Sequence, residues 1–292
     1  LKLGKGGYVS VQDALNTRAL KSLKITFEEL REVVLKNDKQ RFSMILASTQ
    51  DQAEAANGTA PAQNELESEA QNSMQDSDDP ADYLIRANQG HSIKVDTEGL
   101  LTPITQEAGN IPDTVVHGTD ERAWNLIIKG GGLRRMTRNH IHFASGLPAG
   151  FKPLEATAGT AEEKEAAPVI SGMRMSSTVL IYADIVAALA AGIKFYVSEN
   201  GVILSEGNEQ GVFPYEFFSR VENRKKDGGV LMTDGKLPDG LEVNIEEWEK
   251  EMANVGGKRA GRGGRGGRGG GSGRGGKARV NDDSKDLMAD AE

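Results

Sequence analysis

The sequence predicts an α+β protein: a small N-terminal lobe, a larger C-terminal lobe built on a mixed, mostly antiparallel sheet, and a long polar tail. Three observations predict it. Short alternating or apolar runs bounded by turn residues outnumber stretches with apolar residues at helical spacing. The helical stretches cluster near the start, and the strand candidates crowd the middle. Polar, low-complexity stretches interrupt both and then dominate the end.

In order, "GYVSV" (7–11) alternates between turn residues and reads as a strand. "VQDALNTRALKSL" (11–23) and "TFEELREVVLKND" (26–38) carry apolar residues at helical spacing, and Thr26 followed by Glu29 is a capping-box pattern. "RFSMIL" and "YLIRANQGHSIKV" are strand candidates on either side of residues 47–82, which hold nine acids and no base and read as an acidic insertion in a surface loop. Residues 1–101 thus form a lobe of winged-helix size. The second lobe, 102–223, opens with "DTVVHGT", a strand ending in a glycine turn, and "DERAWNLIIKG", a helix closed by Gly130–Gly132. "RNHIHFA", "TVLIYAD", "KFYVSEN" and "GVILSEG" are short strands, "IVAALAAG" is a helix between them, and 152–167 reads as a second insertion. From 224 the chain reads as largely disordered, with "LEVNIEEWEKEM" a short helix candidate and an RGG tract at 256–279.

Composition removes several classes of chemistry. With no cysteine there is no disulfide, thiolate metal site or cysteine nucleophile, which fits a reducing interior. No stretch is apolar enough to cross a membrane. The net charge is −8, yet residues 256–279 hold eight Lys/Arg and no acid, so any basic surface is local. No dinucleotide glycine fingerprint, Walker loop or nucleophile elbow is present.

What remains are clusters of Arg and His. In a strand over 138–143, Arg138, His140 and His142 share one face, and Ile141 and Phe143 face a core. Alternation alone equally describes a solvated polar face, and a same-face histidine pair is weak evidence for zinc. His117 ends an apolar strand before Gly118, where a ligand could approach the backbone, and Thr119. "IRANQGHS" groups Arg86, Asn88, Gln89, His91 and Ser92 around one glycine; an arginine fork suits a phosphate, and the same residues make a hairpin turn. The RGG tract can contact RNA bases and phosphates without sequence preference.

Taken in order, "GYVSVQDAL", "NDKQRF", "IRANQGHS", "HGT…W…I…GGL", "MTRNHIHFA", "ISGMR" and "FYVSENGVILSEG" resemble the RNA 2′-phosphotransferases, over roughly residues 1–220 without the two insertions. "HIHFASGLPAG…ISGMR" resembles the eukaryotic branch, whose members remove the splice-junction 2′-phosphate left by tRNA ligation.

The resemblance implies a winged-helix-like N-terminal lobe and an ADP-ribosyltransferase-like C-terminal lobe that binds NAD as co-substrate, without metal. The RNA phosphate passes to NAD, giving 2′-OH RNA, ADP-ribose 1″,2″-cyclic phosphate and nicotinamide. It implies that Arg86 and Arg138 are catalytic and grip the phosphate with Asn88, His91 and Ser92. His117, Gly118, Thr119, His142, Asn200, Gly201 and Val202 line the NAD site. It further implies a monomer in the nucleus or cytoplasm, acting on tRNA and not at a membrane. Members carry an Arg-His pair in an "LRH" motif just before the segment matching "LKLGKGGYV", so that pair is expected upstream of Leu1 in a longer parent; without it, binding should survive better than turnover. Two other readings fit the fold: an ADP-ribosyltransferase for another phosphate or a protein, and a non-catalytic RNA-binding protein.

Overall fold

The computed structural model describes residues 3–49, 77–93, 95, 99–147, 172–174, 176–225 and 228–260, of which 254–260 as backbone. Most of both insertions, and the RGG tract beyond residue 260, lie outside them.

The first sheet has the order β1-β3-β2, with β1 at Val9–Ser10, β2 at Phe42–Leu46 and β3 at Tyr83–Ala87, all antiparallel. Three helices precede β2: α1 (Val11–Leu15), α2 (Arg18–Leu23) and α3 (Phe27–Lys36). The stretch read as one helix over 11–23 is two. The Thr17 hydroxyl donates to the Ala14 carbonyl at 2.7 Å and accepts from the Leu20 amide, so Thr17 ends one helix and caps the next. The capping box before α3 forms on both sides, Glu29 N to Thr26 Oγ1 at 3.2 Å and Thr26 N to Glu29 Oε2 at 2.9 Å. Val11, Val34, Met44, Tyr83 and Ile85 close the core between helices and sheet.

The remaining elements are β4 (Leu101–Ile104), β5 (Val116–Thr119), α4 (Glu121–Lys129), β6 (Gly132–Arg134), β7 (Ile141–Phe143), β8 (Val179–Ala183), α5 (Ile185–Ala190), β9 (Lys194–Ser198), β10 (Ile203–Gly207), β11 (Val212–Pro214), β12 (Phe218–Asn223), β13 (Gly229–Thr233) and α6 (Ile245–Ala260). They form sheets of order β4-β9-β10-β7 and β13-β12-β8-β5 and a ribbon β11-β6. Every strand pairing among the described residues is antiparallel, with no parallel component. The two larger sheets meet where Val116 and Ala144 exchange backbone hydrogen bonds of 3.0 and 2.8 Å, which sets β5 beside β7. Phe143, Phe195, Phe213 and Phe218 interlock in the core beneath. The β6–β11 approach needs glycine at 132: its φ is +144°, and a Cβ would sit 2.1 Å from the Phe213 carbonyl oxygen.

Three expectations are corrected. The boundary drawn between 101 and 102 falls inside β4, whose Leu101 pairs with Ser198 of β9. The run over 138–143 is a strand only from Ile141; Arg138 and Asn139 lie in a loop after β6, where the Arg138 amide donates back to the Arg135 carbonyl at 3.0 Å. Within the segment after 224 the described residues form regular elements: β13 extends the sheet and buries Met232, and α6 packs on α4. Its alternation is short and its helix carries four acids and three bases with few large apolar residues, so local pattern understates what long-range pairing supplies. No helix among the described residues is long and apolar enough to cross a membrane.

Candidate active site

Arg86 is fixed from several sides. β3 carries it opposite Ser43 of β2. Its guanidinium lies 4.6 Å over the Tyr8 ring, Nη1 donates to the Gly99 carbonyl at 3.1 Å, and Nη2 meets Glu199 Oε2 at 2.6 Å. Nε is sealed from solvent without a partner. Glu199 follows β9, so this ion pair joins the first sheet to the second; the side chains are 11% and 21% exposed, which shields the pair from screening. Ser43 Oγ stands 2.7 Å from Glu199 Oε1 and 2.8 Å from Asn88 Oδ1, one proton facing two acceptors. Nothing in the local pattern of "SENG" marks Glu199 as the partner of a residue 113 positions away.

Several residues expected at a ligand are spent on architecture. Asn88 is buried, with its amide donating to the Gln40 carbonyl at 3.0 Å and its backbone amide to Arg41 O. It anchors the turn. Asn200 donates to the Lys39 carbonyl at 2.9 Å and accepts from Ser198, locking the β9–β10 turn to the first sheet. Val202 is fully buried in a small apolar cluster, and Gly201 supplies the turn's positive φ of 74°. Ser92 is exposed on the loop after β3.

The loop carrying Arg138 is stitched to the loop that follows Arg86. The Asn139 amide donates to the His91 carbonyl at 2.9 Å, and its side chain to the Ile93 carbonyl at 2.6 Å. All four histidines then lie along one wall. His91 and His140 act on one another electrostatically, His140 acts on His142, and His117 Nδ1 lies 2.8 Å from the His142 carbonyl. A carbonyl only accepts, so Nδ1 of His117 carries the proton and its Nε2 is the acceptor when the ring is neutral.

Burial holds His91, His140 and His142 below the ordinary imidazole range. For His91 the Ala87 carbonyl opposes this and Arg86 adds to it. For His140, Glu206 opposes and His91 and Arg135 add. His142 is pushed down to about 3 by burial, then by the positive charge of Arg138. Those three rings are therefore held toward the neutral form beside permanent guanidinium charge. Among the described residues no group of His, Asp or Glu is placed to hold a metal ion.

Gly118 also has a packing role. A Cβ there would lie 2.3 Å from Met173 Cγ and 2.6 Å from Ser177 Oγ, so any larger residue would displace the Met173 and Ser177 side chains that lie across β5. The turn that carries them is locked by the Thr178 amide donating to the Thr119 carbonyl at 2.9 Å. Three buried polar atoms around His117–Thr119 have no partner: His142 Nε2, Ser177 Oγ and Thr178 Oγ1. Buried polar atoms are seldom left unpaired, so each of these three marks a place where a further polar partner would be accommodated. Ser177 and Met173 escaped sequence reasoning because only the turn's passage over β5 brings them there. A small cleft beside this wall is bounded by His117, Thr119, Leu133, Arg134, Met136 and Trp248.

Comparison with known proteins gives a consistent picture. Residues 1–207 match the family described as RNA 2′-phosphotransferase, Tpt1/KptA. The tRNA 2′-phosphotransferase 1 of Danio rerio is 32% identical over 77% of this chain and 78% of its own length. The tRNA 2′-phosphotransferase of Saccharomyces cerevisiae is 29% identical over 76% of this chain and 74% of its own length. A Schizosaccharomyces pombe relative is 36% identical over 80% of this chain, which spans 48% of that relative's length.

Proposed function

The chain belongs to the RNA 2′-phosphotransferase, Tpt1/KptA family and is an enzyme of that class, and from this premise we propose that it removes the splice-junction 2′-phosphate of a ligated tRNA, with NAD as the acceptor. The observation that carries the reading is the stitching of the Arg138 loop, through Asn139, to the loop following Arg86. On this reading it keeps two permanent cations in one neighbourhood, beside His91, His140 and His142, which burial holds toward the neutral form.

A phosphate monoester is already a competent nucleophile near neutral pH, so no serine or cysteine need be activated. The protein's contribution is placement and charge stabilisation. Arg86 and Arg138 do both without changing protonation. NAD supplies the ribose that accepts the phosphate and nicotinamide as the leaving group. The unpaired His142 Nε2, Ser177 Oγ and Thr178 Oγ1 fit its hydroxyl and amide groups, and His117 and Thr119 border the same space. On this reading the first sheet and its helices are the winged-helix-like, RNA-phosphate lobe. The later sheets are the ADP-ribosyltransferase-like, NAD-binding lobe. The assay is a short RNA with one internal 2′-phosphate, incubated with and without NAD. Both the chain from Leu1 and a version extended by its natural upstream residues should be tested. The extended protein is expected to give 2′-OH RNA only when NAD is present; phosphate release without NAD would exclude the mechanism.

Glu199 occupies the fork that a phosphate would take. Binding must exchange one anion for another, and that exchange costs affinity. Glu199→Gln is therefore expected to tighten binding of the 2′-phosphorylated RNA by roughly three- to tenfold, about the worth of a partly buried ion pair. Fluorescence anisotropy reads it directly, and unchanged affinity would separate Arg86 from the phosphate.

A further inference from the structure

Helix α6 lies beyond the residues that match the family, which end at 207. It nonetheless packs back on α4 and the start of β6. The Lys129 ammonium meets Glu251 Oε1 at 2.6 Å and Glu247 Oε1 at 3.2 Å, and both carboxylates, Glu251 first, push it above its usual range. The Asn244 amide donates to the Lys129 carbonyl at 3.0 Å, and Asn244 Oδ1 caps the helix by accepting from Glu247 N at 3.0 Å.

This docking delivers Trp248 to the cleft beside His117. Glycine at 130 is what admits the indole: a Cβ there would stand 2.9 Å from Trp248 Nε1. The Arg134 guanidinium lies 4.2 Å from the centre of the indole ring system, and its Nη2 and Nε donate to the Gly130 carbonyl at 2.8 and 3.2 Å. Tethered on one side and stacked on the other, Arg134 is a half-buried cation held in one pose. Trp248 and Arg134 line the same cleft as His117 and Thr119, with Leu133 and Met136 adding apolar surface.

We propose that Trp248 and Arg134 contact the dinucleotide: α6 forms the outer wall of the pocket, the indole giving a planar base an apolar surface and the guanidinium holding a phosphate oxygen. This rests on the placement of NAD at His117 given above. The chemistry follows from the pair. A flat apolar surface beside a fixed cation suits a heteroaromatic ring carried on a phosphate, and neither group alone would select one. The stretch 224–260 is then part of the substrate site and not a spacer before the glycine-rich tract.

The chain has two tryptophans, and Trp124 is 4% exposed in the core. In a Trp124→Phe background, Trp248 is the only indole emitter. Titration with NAD, and with ADP-ribose as the dinucleotide lacking nicotinamide, is expected to change Trp248 emission with the same Kd that calorimetry gives. Trp248→Ala and Arg134→Gln should each weaken NAD binding by about five- to tenfold, with affinity for 2′-phosphorylated RNA unchanged. Trp248→Phe keeps a ring in place and should lose less, so the idea stays testable if the alanine variant loosens α6. NAD binding with silent Trp248 emission and unchanged Kd in the variants would overturn this inference alone. No NAD binding by the wild-type protein would overturn the placement of NAD as well.

Discussion

Replacing Arg86 with alanine is expected to lower turnover of a 2′-phosphorylated RNA by on the order of a hundred-fold or more, the scale on which loss of one preorganised charge contact costs rate. The guanidinium is aimed by three independent constraints: the Tyr8 ring at 4.6 Å, the Gly99 carbonyl at 3.1 Å and Glu199 at 2.6 Å. The Tyr8 and Gly99 contacts keep it aimed while Glu199 gives way to the phosphate, and a group so aimed stabilises a transition state most. Lysine should not rescue. It has the charge, but its donors sit on a single nitrogen and cannot span Gly99 O and the ligand as the two separate nitrogens of a planar guanidinium do. Affinity for RNA lacking the 2′-phosphate should hardly move if Arg86 contacts that phosphate alone. The variant also strands the Gly99 carbonyl and the Glu199 carboxylate, an unsatisfied-group cost of about 1–3 kcal/mol. Melting curves must therefore accompany the kinetics. Arg138→Ala should show a comparable loss; its charge already bears on His142. Unchanged turnover in either variant would remove that arginine from the phosphate site.

Which parts of this site could be read in the sequence follows from the range of the interactions. The Thr26–Glu29 box and the Asp120 cap of α4 span three residues each, and both form as their sequences imply. Ile141 and Phe143 alternate with His142 and are buried as the period of a strand requires. The same alternation misled at Arg138 and Asn139, because Asn139 gains more by bonding the His91 and Ile93 carbonyls of another loop than by extending β7. Glu199 and Ser177 were out of reach for the same reason. One pairs with Arg86 and the other covers Gly118, and neither contact lies within one element. Asn88, Asn200 and Val202 carry a structural role that their motifs do not advertise. Each sits in a motif that resembles a ligand loop, but their polar groups or apolar side chains are consumed in holding that loop still. Motif membership locates a site better than it assigns roles inside it.

Stability should fall steeply with acid well before the carboxylates titrate, and His142 should be the main cause. Its folded-state pKa is about 3, against an ordinary value of 6.5. A base whose pKa is depressed by folding binds its proton more readily in the unfolded chain. Its stabilising contribution is whole above 6.5 and is lost as pH falls from there toward 3. Each unit in that window removes about 1.4 kcal/mol, so at most about 3 kcal/mol disappears between pH 6.5 and 4.5 from this ring alone. His91 and His140 are shifted in the same direction and should steepen the slope. The interval above 4.5 isolates these rings, because Glu32 and Glu121, whose pKa values lie below the usual 4.5, withdraw their contribution only beneath it. Urea unfolding at pH 7.5, 6.5, 5.5 and 4.5 should give a visibly flatter profile for His142→Gln than for the wild-type protein. Parallel profiles would mean that the folded protein protonates His142 freely, and the neutral wall would have to be abandoned. The depressed pKa also bears on chemistry. A charged His142 would stand beside Arg138 and compete with it for the same anion, drawing the phosphate off line. A neutral ring leaves the guanidinium groups as the cations a phosphate can find on that side of the cleft, and offers Nε2 as a hydrogen-bonding group instead.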